Sequence, residues 1–191
     1  SSSSISYSAR PAQTNYSASN YLQGAPEAVR KDVTYGVEGL WTHGSLSVFG
    51  EYQFVNAESP NRDYDLNGGM LEVSYFLTGE TRGYNVKEGK LTGIKPNSPL
   101  ADGGFGAWGL VARYDHLDLS DFNSSVTAGV GIEGTEANAI SVGVFWQPSD
   151  YVIVRGMYGY TEYDRSSVTA NSTARVDGTV NAFTLRTQFS F

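Results

Sequence analysis

Cysteine is absent from the 191 residues of this chain, so neither a disulfide nor a thiolate metal site can form. Histidine is scarce, and a serine hydrolase would need His43 or His116 beside an activated serine, which neither sequence context favours. We therefore expect no enzymatic activity, no cofactor and no metal site.

Long apolar runs and an excess of positive charge are also lacking. No stretch approaches the roughly 18 apolar residues of a membrane helix. The formal net charge is −7, which argues against a nucleic-acid partner because phosphate binding requires a basic surface. The sequence starts at Ser1 with neither a methionine nor a signal peptide, so we expect a processed, trimmed or fragmentary chain.

The chain is instead rich in glycine, with 22 residues, and in tyrosine, with 13, and apolar and polar residues alternate through most of it. Alternation with a period of two is typical of strands that have one apolar face. It predicts an all-β, antiparallel fold of about eight strands, in one domain spanning residues 1–191. The segments are approximately 5–10, 31–41, 46–54, 64–78, 105–119, 137–147, 151–163 and 181–191.

The predicted connections differ in length from one end of the sheet to the other. Those at 43–44 and 147–150 are tight, whereas those at 11–30, 119–136 and 164–178 are long and polar. Short turns at one end and long loops at the other are typical of a transmembrane β-barrel, in which lipid-facing and lumen-facing residues alternate. The connections at 58–63 and 79–104 depart from this pattern.

Aromatic residues cluster toward the two ends of the predicted strands. If the C-terminus lies on the periplasmic side, one group falls near the periplasmic edge of the bilayer: Trp41, Trp108, Trp146, Phe189 and Phe191. A second group, which includes Tyr52, Tyr114 and Tyr158, falls near the opposite edge. Two aromatic bands around an aliphatic band are what a bilayer selects. The alternative is a soluble sandwich with aromatic residues at its strand ends.

Several longer motifs carry a more specific resemblance. They are SYFLTGETRGYNVKEGKLTGIKPNSP at 74–99, GAWGLVARYDHLDL at 106–119, EGLWTHGSLSVFGEYQ at 38–53 and SARP at 8–11. Together they resemble the C-terminal half of the phosphate-selective porin O and P family. That resemblance implies a protein of the bacterial outer membrane that forms a trimeric anion channel. Each barrel of the family has sixteen strands, and this chain would supply the second half of one barrel.

Two architectures remain open at this point. Either the chain is half of a sixteen-stranded barrel, or it closes alone with eight strands, which would leave at most a very narrow lumen. The resemblance favours the first. The expected partners are the lipid bilayer, lipopolysaccharide, two further copies in a homotrimer, and small ions or solutes.

Charged residues on the predicted strands fall on the lumen face. The basic ones are Arg113, Arg155 and Arg186, and the acidic ones are Glu38, Glu51, Glu72 and Asp115. Either these charges simply pair with one another, or an acidic arc and a basic arc set up a field that orients and selects ions.

The long segment 79–104 is a candidate constriction of the lumen. It contains Arg82, Lys87, Lys90 and Lys95, and in the family that this chain resembles some connections fold into the pore. The alternative is a solvated periplasmic loop. The favoured function is a porin for passive diffusion of small anions such as phosphate, or of other small solutes. The alternative is a structural or binding barrel without channel activity.

Overall fold

The computed structural model describes residues 3–5, 8–9, 22–23, 27–60, 63–85, 87, 90–91, 93–121, 132–169 and 172–190. These residues include thirteen strands and a short 3-10 helix at Leu100–Asp102. The strands are β1 Ser3–Ile5, β2 Ser8–Ala9, β3 Leu22–Gln23, β4 Glu27–Val29, β5 Lys31–His43, β6 Leu46–Glu58, β7 Asp63–Phe76, β8 Tyr84–Asn85, β9 Lys90–Leu91, β10 Ala107–Asp118, β11 Ile132–Ser149, β12 Val152–Thr169 and β13 Ser172–Phe189.

Seven long strands form one antiparallel sheet in the order β13-β12-β11-β10-β7-β6-β5. Successive long strands are therefore neighbours, as hairpins dictate, and the predicted all-β antiparallel fold is confirmed. Within the described ranges no ladder joins β5 to β13, so the sheet has two free edges. The described part of the chain has no helix long and apolar enough to cross a membrane.

The first predicted strand, 5–10, differs from the others. The chain there contributes β1 and β2, which pair with β4 and β3 in two-stranded ladders outside the seven-stranded sheet. Residues 1–10 contain few apolar side chains, so this segment cannot present the continuous apolar face of the long strands. In addition, β3 lies against β11.

The predicted long loop at 164–178 is wrong. The strands β12 and β13 stay paired as far as Thr169 and Ser172, so only two residues separate the paired strands. Among its many polar residues the segment also contains Val168, Thr169, Thr173 and Val176, and such β-branched residues favour extended backbone. Polar composition there reflects a strand with no apolar face, rather than a turn.

The sheet has two chemically distinct faces. The outer face carries most of the exposed large apolar side chains, among them Val37, Trp41, Phe54, Leu71, Val73, Tyr75, Trp108, Leu110, Tyr114, Ile140, Val142, Val144, Tyr158, Phe183, Leu185 and Phe189. The strand register keeps these residues on one side, for example Tyr75 opposite Leu110 and Leu110 opposite Val144. An exposed apolar band of this extent fits contact with lipid rather than water.

Two separate clusters of buried apolar residues lie on the inner face in the described part of the chain. One contains Phe76, Ala107 and Phe145, with Ile94 of the 79–104 segment packed against them. The other contains Val29, Ala57, Tyr64, Leu66 and Leu119. In each cluster a segment outside the sheet, β4 or residues 79–104, covers inner-face side chains. The inner face is thus partly filled at two places.

A close packing contact in the first cluster gives a stability prediction. A Cβ on Gly109 would lie 2.0 Å from the Phe145 ring, which packs edge-on against Phe76 at 4.9 Å between ring centroids. Gly109→Ala should therefore force the ring aside and lower the free energy of unfolding by about 1–3 kcal/mol. Urea unfolding of the full-length protein in lipid vesicles measures this.

Gly39→Ala is the matched control, because a Cβ there meets nothing within 4 Å. We expect its unfolding midpoint to stay close to that of the unmodified protein. Equal midpoints for the two variants would contradict the packing seen at Gly109.

Candidate functional site: the inner face of the sheet

Two arginines lie directly opposite each other on the inner face. Arg155 of β12 pairs in register with Arg186 of β13, and Phe145 of β11 lies on the other side of Arg155. Both arginine side chains are exposed, and neither forms an ion pair with a described residue. Like charges directly opposite on adjacent strands repel each other, so this pair favours a nearby anion.

A third arginine reaches the same region from the 79–104 segment. The Arg82 guanidinium lies 5.8 Å from the centroid of the Phe76 ring, and its Nε is buried without a hydrogen-bond partner in the described part of the chain. Burial lowers the pKa of Arg82, the charge of Glu72 opposes that shift, and the charge of Arg155 adds to it. Arg82 still remains protonated, because a guanidinium does not lose its proton in proteins.

The fourth arginine is neutralised by its neighbours. Arg113 Nε donates to both carboxylate oxygens of Asp115, at 2.8 and 2.9 Å, and Arg113 Nη1 lies 4.0 Å from the Glu72 carboxylate. Arg113, Arg155 and Arg186 were predicted together as lumen-lining bases, but their surroundings differ. The charge of Arg113 is balanced locally, whereas Arg155 and Arg186 face each other.

Acidic side chains lie toward the other edge of the sheet. Glu38 of β5 is directly opposite Glu51 of β6, and Glu51 accepts a hydrogen bond from Gln53 Nε2. Glu72 of β7 is opposite Arg113 of β10. The inner face therefore runs from an acidic region on β5–β7 to a basic region on β12 and β13.

The 79–104 segment is fixed against the inner face. Gln147 Nε2 donates to the carbonyl oxygen of Ile94 at 2.6 Å, and Ile94 packs onto Phe76 and Phe145. Glu80 joins the two ends of the segment and is only 3% exposed. Its carboxylate accepts from Thr78 Oγ1 and from the Asn97 backbone N–H, the latter at 3.0 Å.

The predicted basic residues of this segment have different surroundings. Arg82 is half-buried, as described above, whereas Lys87 and Lys95 are exposed. The side chain of Lys90 lies outside the described residues. Sequence patterns missed Glu80 and Gln147, because neither belongs to a recognisable motif and each acts through a partner distant in sequence.

The family model described as phosphate-selective porin O and P matches residues 1–191. The chain belongs to this family. Its location is the bacterial outer membrane.

Two curated proteins illustrate how far the similarity extends. Porin O of Pseudomonas aeruginosa PAO1 is 29% identical over 166 residues, which is 85% of this chain and 36% of porin O. An uncharacterized protein of Caulobacter vibrioides CB 15 is 33% identical over 170 residues, covering 86% of this chain and 31% of that protein. The chain thus spans about a third of the length of these relatives.

Membership of this porin family gives a reason for the aromatic residues of the outer face. Trp108 and Trp146 stack with ring centroids 5.7 Å apart, and both indole Nε1 groups donate to the Phe105 carbonyl, at 3.1 and 2.8 Å. Phe189 lies on the same face at the end of β13 and is exposed, whereas Phe191 falls outside the described residues. This group forms one aromatic edge of the porin sheet.

Trp41 occupies a different register row. Trp41 lies opposite Val48, Val48 lies opposite Val73, and Val73 lies opposite Ala112. The row of Trp41 therefore crosses β10 at Ala112, four positions after Trp108. Such a stagger is what tilted strands produce, because in a barrel the residues of one row lie at different depths.

At the other end of the strands, tyrosine hydroxyls point to polar side chains. Tyr52 donates to Asn67 at 2.5 Å, Tyr114 to Asn138 at 2.6 Å, and Tyr158 to Asn181 at 2.6 Å. Rings that keep their bodies in an apolar band and their hydroxyls toward polar groups are typical of a membrane interface.

Proposed function

We propose that the inner face of this sheet forms part of the wall of a water-filled channel that passes small anions such as phosphate. The observation that carries this proposal is the convergence of Arg82, Arg155 and Arg186 on the inner face, with two of the three directly opposite each other. A passing anion relieves their mutual repulsion, so the group favours anions electrostatically. The family's description as phosphate-selective supports the same substrate class.

The free edges of the sheet support a larger barrel. Among the described residues no strand pairs with the outer edge of β5 or of β13, and a membrane does not tolerate unpaired strand edges unless further strands close the sheet. Relatives about three times as long leave room for those strands. We propose that this chain is a single partial-barrel domain, the C-terminal half of a sixteen-stranded barrel, working as a homotrimer in contact with lipopolysaccharide.

The separation of charge across the inner face gives the channel a transverse field. Glu38, Glu51 and Glu72 lie on β5–β7, whereas Arg155 and Arg186 lie on β12 and β13. An anion would travel on the basic side, close to the 79–104 segment. We propose that this segment narrows the lumen and adds Arg82, Lys87, Lys90 and Lys95 to the basic side.

The test is a measurement of ion selectivity in planar bilayers with the full-length protein. Across about 8 Å of water one charge contributes about 0.5 kcal/mol, so the double variant Arg155→Gln/Arg186→Gln should lower the anion-to-cation permeability ratio several-fold. The reversal potential in a salt gradient reports this ratio. The effect should be largest at low ionic strength, where the Debye length is longest.

Arg113→Gln is the comparison variant, because Arg113 lies on β10 beside Asp115 and Glu72, farther from the proposed anion path along β12 and β13. It should change the ratio less than either single substitution at Arg155 or Arg186. A conducting channel whose reversal potential ignores the double variant would remove the assignment of selectivity to these residues. A folded protein without conductance would favour the structural or binding barrel.

A further inference from the structure

The inner face also contains a niche, which lies away from the basic residues of β12 and β13. It has a volume of about 330 Å³ and lies between β6, β7 and β10. Its apolar floor consists of Val55, Leu66, Leu117 and Leu119. The floor is rigid, because Leu66 and Leu119 belong to the buried cluster beneath β4, and Val55 and Leu117 pack against that cluster.

The rim of the niche is charged. Glu51, Arg113 and Asp115 line it, but the paired guanidinium of Arg113 is satisfied by the Asp115 carboxylate. Glu51 accepts only from the uncharged Gln53 amide in the described structure, and it faces Glu38 across the β5–β6 ladder. Two carboxylates, Glu51 and Asp115, and the Arg113 guanidinium, which also attracts Glu51, therefore line the niche. Two further carboxylates, Glu38 and Glu72, lie outside the lining, opposite Glu51 and Arg113 on the neighbouring strands.

We propose that this niche binds a small organic monocation that has an apolar body. The apolar floor would take the body of the ligand, and the Glu51 carboxylate would accept from the cationic head and relieve the repulsion between Glu51 and Glu38. The volume lies within the range of pockets that hold small organic molecules. This is a separate site from the anion path, which follows the basic side of the wall.

Other ligand classes match the niche less well. An organic anion of the same shape would meet the excess of carboxylates at the rim. A metal ion would make no use of the apolar floor, and the described residues contain no cluster of His, Cys, Asp or Glu with the geometry of a metal site. Charge complementarity together with an apolar floor therefore selects a cation with an apolar body.

The experiment is isothermal calorimetry on the full-length protein in zwitterionic detergent at low ionic strength. The probe is 2-phenylethylammonium, compared with methylammonium, which lacks the apolar body, and with 3-phenylpropanoate, which has the opposite charge. We expect the probe to bind with a Kd roughly tenfold below that of either comparison ligand. Glu51→Gln should raise the Kd of the probe roughly tenfold.

Two further variants separate binding from folding. Val55→Thr keeps the size of the side chain but places a hydroxyl in the floor. It should therefore raise the Kd of the probe and leave the Kd of methylammonium unchanged. Glu58→Gln lies on the same strand but pairs with Lys31 away from the niche, so it should leave the Kd of the probe unchanged. Equal Kd values for the three ligands, or an unchanged Kd in both Glu51→Gln and Val55→Thr, would overturn the proposal. Neither result bears on anion selectivity, which is measured separately.

Discussion

Val142→Arg is expected to impair the folding of this porin into a bilayer. Val142 is 48% exposed on the outer face, opposite Ala112 on β10 and Tyr158 on β12. It lies in the aliphatic band between the aromatic edges. An arginine at mid-depth on the lipid face costs roughly 2–4 kcal/mol, which is a large part of the stability of a typical domain. The folded fraction after dilution from urea into lipid vesicles measures the effect.

Two neighbouring positions on β13 supply a matched comparison. Leu185 is 69% exposed on the outer face, whereas Thr184 lies on the inner face opposite Met157. Leu185→Arg should reduce the folded fraction as Val142→Arg does, and Thr184→Arg should not, because its charge would enter water. If all three variants folded equally well, the assignment of the outer face to lipid would fail.

The residue next to Val142 shows what the alternation of apolar and polar residues can and cannot predict. Alternation selects Ser141, next to Val142, as an inner position open to a charge. The structure contradicts the expectation that Ser141 has room for a charged side chain, because Ser141 is only 2% exposed and lies opposite Arg113 and Gly159. The period of the sequence specifies the face of a residue, but its burial depends on what folds over that face.

The faces of the long strands were predictable from the sequence because a strand has only one period. Val142, Val144 and Leu185 fall on the exposed apolar face as the alternation requires. The ends of the strands were harder to predict. Beyond the membrane no apolar face is needed, so β12 and β13 continue with polar residues that look like a loop.

The electrostatic site was predictable only in part. The sequence identified the inward charges, but it did not distinguish Arg113, whose charge Asp115 balances, from Arg155 and Arg186. That distinction depends on the register that sets Arg155 opposite Arg186. It also depends on Arg82, whose segment has no periodicity. The contacts that hold the segment join residues 17 and 53 positions apart, and no local pattern encodes such contacts.

Glu80→Ala is expected to release the 79–104 segment from the inner face. The Glu80 carboxylate is buried and accepts from Thr78 Oγ1 and the Asn97 N–H. Its removal leaves these donors unsatisfied, at a cost of about 1–3 kcal/mol. That energy corresponds to a factor of about 5 to 150 in the ratio of docked to released segment. The strands themselves keep their ladders, so the effect should be confined to this connection.

Released segments should appear as a second, larger conductance level in single-channel recordings, because the proposed constriction then leaves the lumen. Asp102→Ala removes one carboxylate from the same segment, but Asp102 is exposed, so it should leave the recordings unchanged. Glu80→Ala combined with Gln147→Ala should populate the larger level further, because the Ile94 carbonyl also loses its donor. An identical distribution of conductance levels in Glu80→Ala and Asp102→Ala would mean that the buried carboxylate does not hold the segment. It would leave the contact of Ile94 with Phe76 and Phe145 as the dominant anchor.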